Sequence, residues 1–158
     1  MTVGRYGASE CVVPRADSIQ IVPITSAAQL LEAHAIRRKV FIEEQHVPEE
    51  MELDQDDERA FHVLALDGER AVGCGRFVAH ESEVKIGRMA VTLELRGSGI
   101  GRRVLEFLMD AARQQGHRKA VLHAQLTAEG FYLKQGFTAI GDVFEEAGIV
   151  HRKMQREL

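Results

Sequence analysis

Cysteine is scarce in this chain of 158 residues: Cys11 and Cys74 are the two. Neither their number nor their spacing suits a disulfide framework or a thiolate zinc site, and a reducing, cytoplasmic setting is expected. Long apolar runs are missing as well. No stretch approaches the roughly 18 residues that a membrane-spanning helix needs, so no membrane association is expected. Residues 1–17 contain Arg5, Glu10, Pro14, Arg15 and Asp17 in place of a signal peptide's continuous apolar centre, and they read as a loose N-terminal leader ahead of one domain, 18–158. Excess positive charge is also absent: the formal net charge is −4, which argues against nucleic acid as the bulk partner. Internal repeats, low-complexity stretches and linkers are absent too. What remains is ordinary globular composition, 45% hydrophobic and 28% charged, in a chain long enough to bury about two-thirds of its unfolded surface in one core.

Periodicity lays out the elements. Residues 18–24 alternate as a first strand, and Ser26 with Gln29 forms a candidate capping box opening a helix through about Phe41. From Glu43 to Glu58, nine of sixteen positions are Asp or Glu and none is Lys or Arg, which predicts a solvated loop or short helix. Residues 61–66 and 71–79 read as strands joined at Asp67-Gly68. In the next strand, 84–91, Val84 and Ile86 are apolar on one parity and Met89 and Val91 on the other. A change of phase at Gly87-Arg88 predicts a β-bulge. An apolar stripe of Ile100, Val104, Leu105, Leu108, Ala111 and Ala112 predicts a helix ending near Gly116. A buried strand at 119–123, a short helix capped by Thr127 and ended by Gly136, and strands near 137–140 and 149–154 complete a mixed α/β sheet.

The run Arg96-Gly97-Ser98-Gly99-Ile100-Gly101 lies between the bulged strand and the helix. Three glycines let the backbone turn tightly and bring consecutive N–H groups onto one anion. The helix that follows adds its first-turn donors and the positive end of its dipole, and Arg96, Arg102 and Arg103 surround the turn. A phosphorylated ligand is expected. It is not a nucleotide triphosphate held as in a P-loop, because Gly101 is followed by Arg102 and Arg103 where Lys and Ser or Thr are required. Nor is it a dinucleotide, because Arg102 and Val104 stand where the third glycine of that fingerprint belongs.

These residues resemble the pyrophosphate-binding motif of the GNAT superfamily of N-acetyltransferases, Arg/Gln-x-x-Gly-x-Gly/Ala, with Arg96, Gly99 and Gly101 at its defined positions. Phe131-Tyr132-Leu133-Lys134-Gln135-Gly136-Phe137 resembles the signature closing that family's fourth helix. A likeness to the ElaA-like branch extends through Val40 to Gln45, His123-Ala124-Gln125 and Glu145 to His151, and so over nearly the whole chain after residue 18. The resemblance implies a single GNAT-like domain with a central mixed, mostly antiparallel sheet flanked by helices. It implies acetyl-CoA as co-substrate and direct attack on its thioester by a primary amine of a small molecule or a protein; no metal is expected. The oligomeric state is left open, a homodimer included.

Carried over residue by residue, the resemblance places the pantetheine arm along the backbone of Met89, Ala90 and Val91, and the pyrophosphate on Arg96, Gly97, Ser98, Gly99, Ile100, Gly101 and Arg102. Tyr132 becomes the proton donor to the departing thiolate. A bulge amide near Met89 could polarise the thioester carbonyl, an effect of about 3 kcal/mol in other oxyanion holes. The base that relatives often place on the fourth strand is missing, since Lys85, Gly87 and Arg88 stand there. The candidates for it are His123 and Glu44, with Glu52, Asp54, Asp56 and His62 behind them. Gln125 stands where many relatives carry asparagine, and Gly130 sits mid-helix. Asp54-x-Asp56 resembles the start of a calcium loop, but the required glycine and distal glutamate are lacking. The acidic run is also a candidate attractor of a cationic amine. The rival reading is a CoA-binding sensor or interaction module that has lost base chemistry.

Overall fold

Strand alternation sorts the chain into two layers of helix on one sheet. The computed structural model describes residues 18–158, so the expected leader and Cys11 lie outside the described residues. β1 (Ile19–Pro23), β2 (Phe61–Asp67), β3 (Arg70–His80), β4 (Glu83–Val91), β5 (Lys119–Gln125), β6 (Thr138–Glu146) and β7 (Ile149–Glu157) form one sheet in the order β1-β2-β3-β4-β5-β7-β6. Every neighbouring pair is antiparallel except β4 and β5, as a mixed, mostly antiparallel sheet requires.

One face carries Val63, Ala65, Val72, Phe77, Val84 and Ile86, together with Leu122, Ala124 and Met154. It packs against α3 (Ile100–Gln114), whose Val104, Leu105, Leu108 and Ala112 are fully buried. The fit is close: a Cβ built on Gly75 would meet Val104 Cγ1 at 2.8 Å, so the helix rests directly on the backbone of β3. The opposite face carries Leu64, Cys74 and Ala90 against Ala33, Ile36 and Val40 of the first helix and its extension. That helix, α1 (Ala27–Arg37), opens at the expected cap, with Ser26 Oγ accepting from Gln29 N at 3.2 Å. Gln29 reaches back to Thr25 N at 2.8 Å, one residue earlier than the simple box. Beyond Arg37 the chain widens into a π-helix, Arg38–Glu44, with Gln45 N donating to Val40 O. This wider turn replaces the last turns of the expected α-helix.

The expected bulge is present. β3 and β4 pair Cys74 with Ala90 and Arg76 with Gly87, so Arg88 and Met89 together oppose Gly75. Arg88 takes the left-handed φ of 51°. The phase change turns Met89 and Val91 toward the α3 core and Ala90 toward the α1 side.

Two expectations are corrected. Thr127 does not cap the short helix: it lies in a 3-10 turn, Leu126–Ala128, and α4 (Glu129–Lys134) begins after Ala128 with no side-chain cap. The acidic run forms short helices, α2 (Glu49–Glu52) and a 3-10 turn at Gln55–Glu58; Glu43, Glu49, Glu50 and Glu58 are exposed as expected, but Glu52, Asp54 and Asp57 are not simply solvated. Glu52 is 2% exposed, and its carboxylate takes Arg37 Nε while its carbonyl accepts from the other end of the same guanidinium. Asp57 binds both Arg37 and Arg76, and Asp54 receives Arg76 through two bonds of 2.8 and 2.9 Å. Arg88, at the bulge, donates to the carbonyls of Met51 and Glu52 and to Asp54 Oδ2 at 3.1 Å. Three arginines from α1, β3 and β4 thus strap residues 51–57 over the sheet. Low surrounding dielectric makes such pairs strong while complete and costly when broken.

The Arg76 hydrogen bonds hold the Asp54 carboxyl down to about 2, from a reference of 3.8. A depressed carboxylate stabilises the fold fully above its unfolded value and loses that contribution as pH falls through the folded one. Acid unfolding should therefore steepen between pH 3.8 and about 2, and Asp54→Asn should flatten that segment of a denaturation-midpoint profile. Glu52→Ala, which strands a buried guanidinium, should cost about 3 kcal/mol or more in urea unfolding, whereas Glu106→Ala at the exposed pair with Arg102 should stay within about 0.5 kcal/mol.

Candidate active site

The cleft of the molecule follows from the bulge. β4 and β5 pair in parallel from Glu83 and Lys119 only as far as Ile86 and Leu122, although the strands continue to Val91 and Gln125. Beyond that point they part, and a cleft of about 570 Å³ opens between them, lined among others by Met89, Val91, Phe41, His123, Gln125 and Tyr132. A second depression, of about 660 Å³ beside Gln135, Gly136 and Arg156, is open to solvent and gathers neither imidazole nor phenol.

At the cleft's far end the glycine turn adopts the conformation its sequence implies. Gly97 and Gly99 have φ of 82° and 90°, values strained for any residue with a side chain. Gly99 is the N-cap of α3, and no side chain caps it, so the first-turn amides before Arg103 are left for water or a ligand. A Cβ on Gly101 would stand 3.9 Å from Val91 and 3.8 Å from Phe131, which fixes the helix start next to the end of β4. The arginines around the turn are structured: Arg96 donates to Val91 O at 3.0 Å and to Glu44 Oε2 at 2.7 Å, Arg102 pairs with Glu106, and Arg103 donates to Ile19 O. Ile100 is buried in the core, so only its backbone faces outward. Met89, Ala90, Val91 and Arg96 line the cleft, and 97–102 continue from its end.

Tyr132 approaches from the α3 side. Its ring meets Phe131 and Phe137 edge-on at centroid distances of 5.0 and 5.9 Å, and its hydroxyl reaches Met89 Sδ at 3.8 Å. Burial pushes the phenol up to about 12, so it carries its proton at any physiological pH.

His123 approaches from the other face, since Leu122 and Ala124 turn into the α3 core and alternate residues point oppositely. Its Nδ1 lies 3.3 Å from Glu146 Oε1, and its ring packs edge-on to Phe144 at 4.9 Å. Glu146 Oε2 is also 3.9 Å from His151 Nε2. Partial burial, reinforced by the charge of Lys85, lowers the His123 pKa from 6.5 against the opposing pull of Glu146. The imidazole is therefore mainly neutral at pH 7 and able to accept a proton.

The other base candidates are committed elsewhere. Glu44 pairs with Arg96, Glu52 and Asp54 with the arginine strap, and Asp56 with Arg59. His62 is held by the Asp57 carbonyl at 2.9 Å. Cys74 is buried, its thiol pushed up to about 12 by desolvation, which makes it a poor nucleophile. Gln125 donates to Gln45 Oε1 at 2.7 Å and bridges β5 to the end of the π-helix. Gly130 has nothing within 4 Å of a Cβ. Sequence reasoning assigned no role to Glu146 or Gln45; both belong to segments of the ElaA-like resemblance, and that was the available signal.

The fold is shared with known proteins. A family model described as Acetyltransferase (GNAT) domain matches residues 22–158, and the chain belongs to that family. It is 35% identical over 130 residues to the uncharacterized N-acetyltransferase YjcF of Bacillus subtilis, covering 82% of this chain and 93% of that protein. It is 30% identical over 139 residues to protein ElaA of Escherichia coli, covering 84% and 90%. The crystal structure of E. coli ElaA superposes with a TM-score of 0.79 at 27% identity, over 88% of this chain and 99% of that one. An acyl-CoA N-acyltransferase from Pseudomonas aeruginosa gives 0.78 at 26% identity, over 87% and 99%. Among the described residues no helix is long and apolar enough to cross a membrane.

The paired charges around His123 make its titration a direct check. In NMR titration its ring resonances should move with a midpoint below 6.5. Lys85→Gln should bring that midpoint back up, and Glu146→Gln should lower it further.

Proposed function

We propose that this protein transfers an acetyl group from acetyl-CoA to a primary amine by direct attack, with no covalent acyl-enzyme. The observation that carries the reading is the cleft at the parting of β4 and β5, which brings a proton-bearing phenol and a neutral imidazole to it from opposite faces of the sheet. Membership of an acetyltransferase family supports it.

In this reading the left-handed Gly97 and Gly99 and the uncapped first turn of α3 hold the pyrophosphate on backbone N–H groups from 97 to 102, where a helix N-terminus favours an anion. Arg96, tied to Val91 O and Glu44, keeps that turn in register with the strand end. Met89, Ala90 and Val91 carry the pantetheine arm along the strand edge that β5 has vacated. The bulge leaves one residue of the Arg88-Met89 pair outside the ladder, and an amide there is the donor for the thioester oxygen. The co-substrate supplies an activated acetyl carbon and a thiolate leaving group. His123, held by Glu146, takes a proton from the acceptor's ammonium; the freed amine nitrogen bonds to the acetyl carbon, the carbon–sulfur bond breaks as Tyr132 gives its proton to the sulfur, and the new amide nitrogen loses its second proton to water, from which the phenolate is reprotonated. Burial keeps the phenol protonated and so available as a donor, and the lowered imidazole pKa suits an acceptor near neutrality. A cytoplasmic location accompanies this reading.

Tyr132→Phe separates the enzyme from a CoA-binding sensor. Steady-state assays should show kcat reduced about 100-fold or more, while calorimetry should show acetyl-CoA bound as by the parent protein. An intact protein that binds acetyl-CoA yet acetylates no amine would establish the sensor instead.

A further inference from the structure

Lys85 is the charged group in the cleft that the mechanism above leaves unused. It lines the cleft and is partly buried, and its ammonium is outside every ion pair and side-chain hydrogen bond among the described residues. Its neighbours Val84 and Ile86 turn into the α3 core, so Lys85 faces the side on which His123 lies. The register sets it opposite Val121, with His123 two residues further along the same face of β5, a diagonal that long side chains span. Its charge is felt at the imidazole. Lys153, the direct cross-strand partner of His123 on β7, is exposed on that same face.

The carboxylates lining the cleft are by contrast occupied. Glu52 and Asp54 are bound by Arg37, Arg76 and Arg88, Asp56 by Arg59, and Glu146 lies against His123 and His151. A polyamine would therefore find its second cation facing Lys85 and no uncommitted anion. A partly desolvated ammonium without a partner is instead a site for an anion.

We propose that the acceptor is a primary amine that also carries a carboxylate or phosphate, bound by Lys85 while its amino group reaches His123. This rests on the acetyl-transfer reading and names its substrate class. His123 receives the amino end and Lys85 binds the anionic end, so the two residues orient the acceptor across the face from β4 to β5 and present its nitrogen at the opening between the strands.

The test is a thiol-release assay of the full chain with acetyl-CoA and matched acceptors: serine against serinamide, phosphoethanolamine against ethanolamine, and spermidine. The expected result is a kcat/KM about tenfold or more higher for the anionic member of at least one pair. Which pair responds tells carboxylate from phosphate. Lys85→Gln should bring the ratio of anionic to neutral acceptor toward one, and Lys85→Glu should reverse it. Because removing Lys85 also relaxes His123, the ratio within a pair is the informative quantity: a change in the base moves both members together. Preference for the neutral amines or spermidine, or a ratio unmoved by Lys85→Gln in a protein whose circular dichroism is unchanged, would overturn this proposal and leave acetyl transfer standing. Acetyl-CoA binding with no acceptor turned over would overturn both.

Discussion

The left-handed residue Arg88 is the constraint on which the site depends. One extra residue in β4 shifts its phase, turning Met89 and Val91 to the α3 side just where the pairing with β5 stops. A non-glycine residue at positive φ is strained, and the side chain of this one supplies the compensation. The Arg88 guanidinium takes two backbone carbonyls and a carboxylate of the 51–54 segment. The strand's defect and the loop that borders the cleft are thereby held by one residue.

Charge is divided between structure and site. Arg37, Arg76 and Arg88 meet Glu52, Asp54 and Asp57 in a closed set of pairs, most of it buried. Satisfied groups of this kind hold their positions and have little chemistry left to offer. Tyr132, His123 and Lys85 are the opposite case. The phenol has a thioether as its partner, the imidazole a carboxylate at 3.3 Å, and the ammonium none among the described residues. In the proposed reading the groups that exchange a proton or bind a charge are these three, which line the cleft at the parting of the two strands.

Much of this was legible in the sequence wherever the signal was local. The parity switch at Gly87-Arg88 gave the bulge, the glycine spacing gave the turn and the start of α3, and the apolar stripe from Ile100 to Ala112 gave its buried face. Information carried by distant pairing was not legible. Within a run of nine acidic residues in sixteen, Glu52, Asp54 and Asp57 look solvated until Arg37, Arg76 and Arg88, which come from α1, β3 and β4, are brought to them. Glu146 meets His123 only through the β5-β7-β6 register. Strands β6 and β7 extend past their expected ends through residues 141–146, mostly exposed, and 155–157, which carry no apolar side chain, so neither stretch shows apolar alternation. Thr127 has the chemistry of a cap, but the chain enters α4 through a 3-10 turn that leaves no helix end at that position.

In the proposed reading, acetyl-CoA binding depends most directly on the backbone cradle at the start of α3. Calorimetric titration of acetyl-CoA into the intact protein and into Gly99→Val, with far-ultraviolet circular dichroism showing the fold retained, measures it. The account predicts binding by the parent, weakened about tenfold or more in the variant, because a β-branched residue resists the left-handed φ that aims the first-turn amides at one anion. Equal affinity in the two folded proteins, or no binding by the parent, would contradict it.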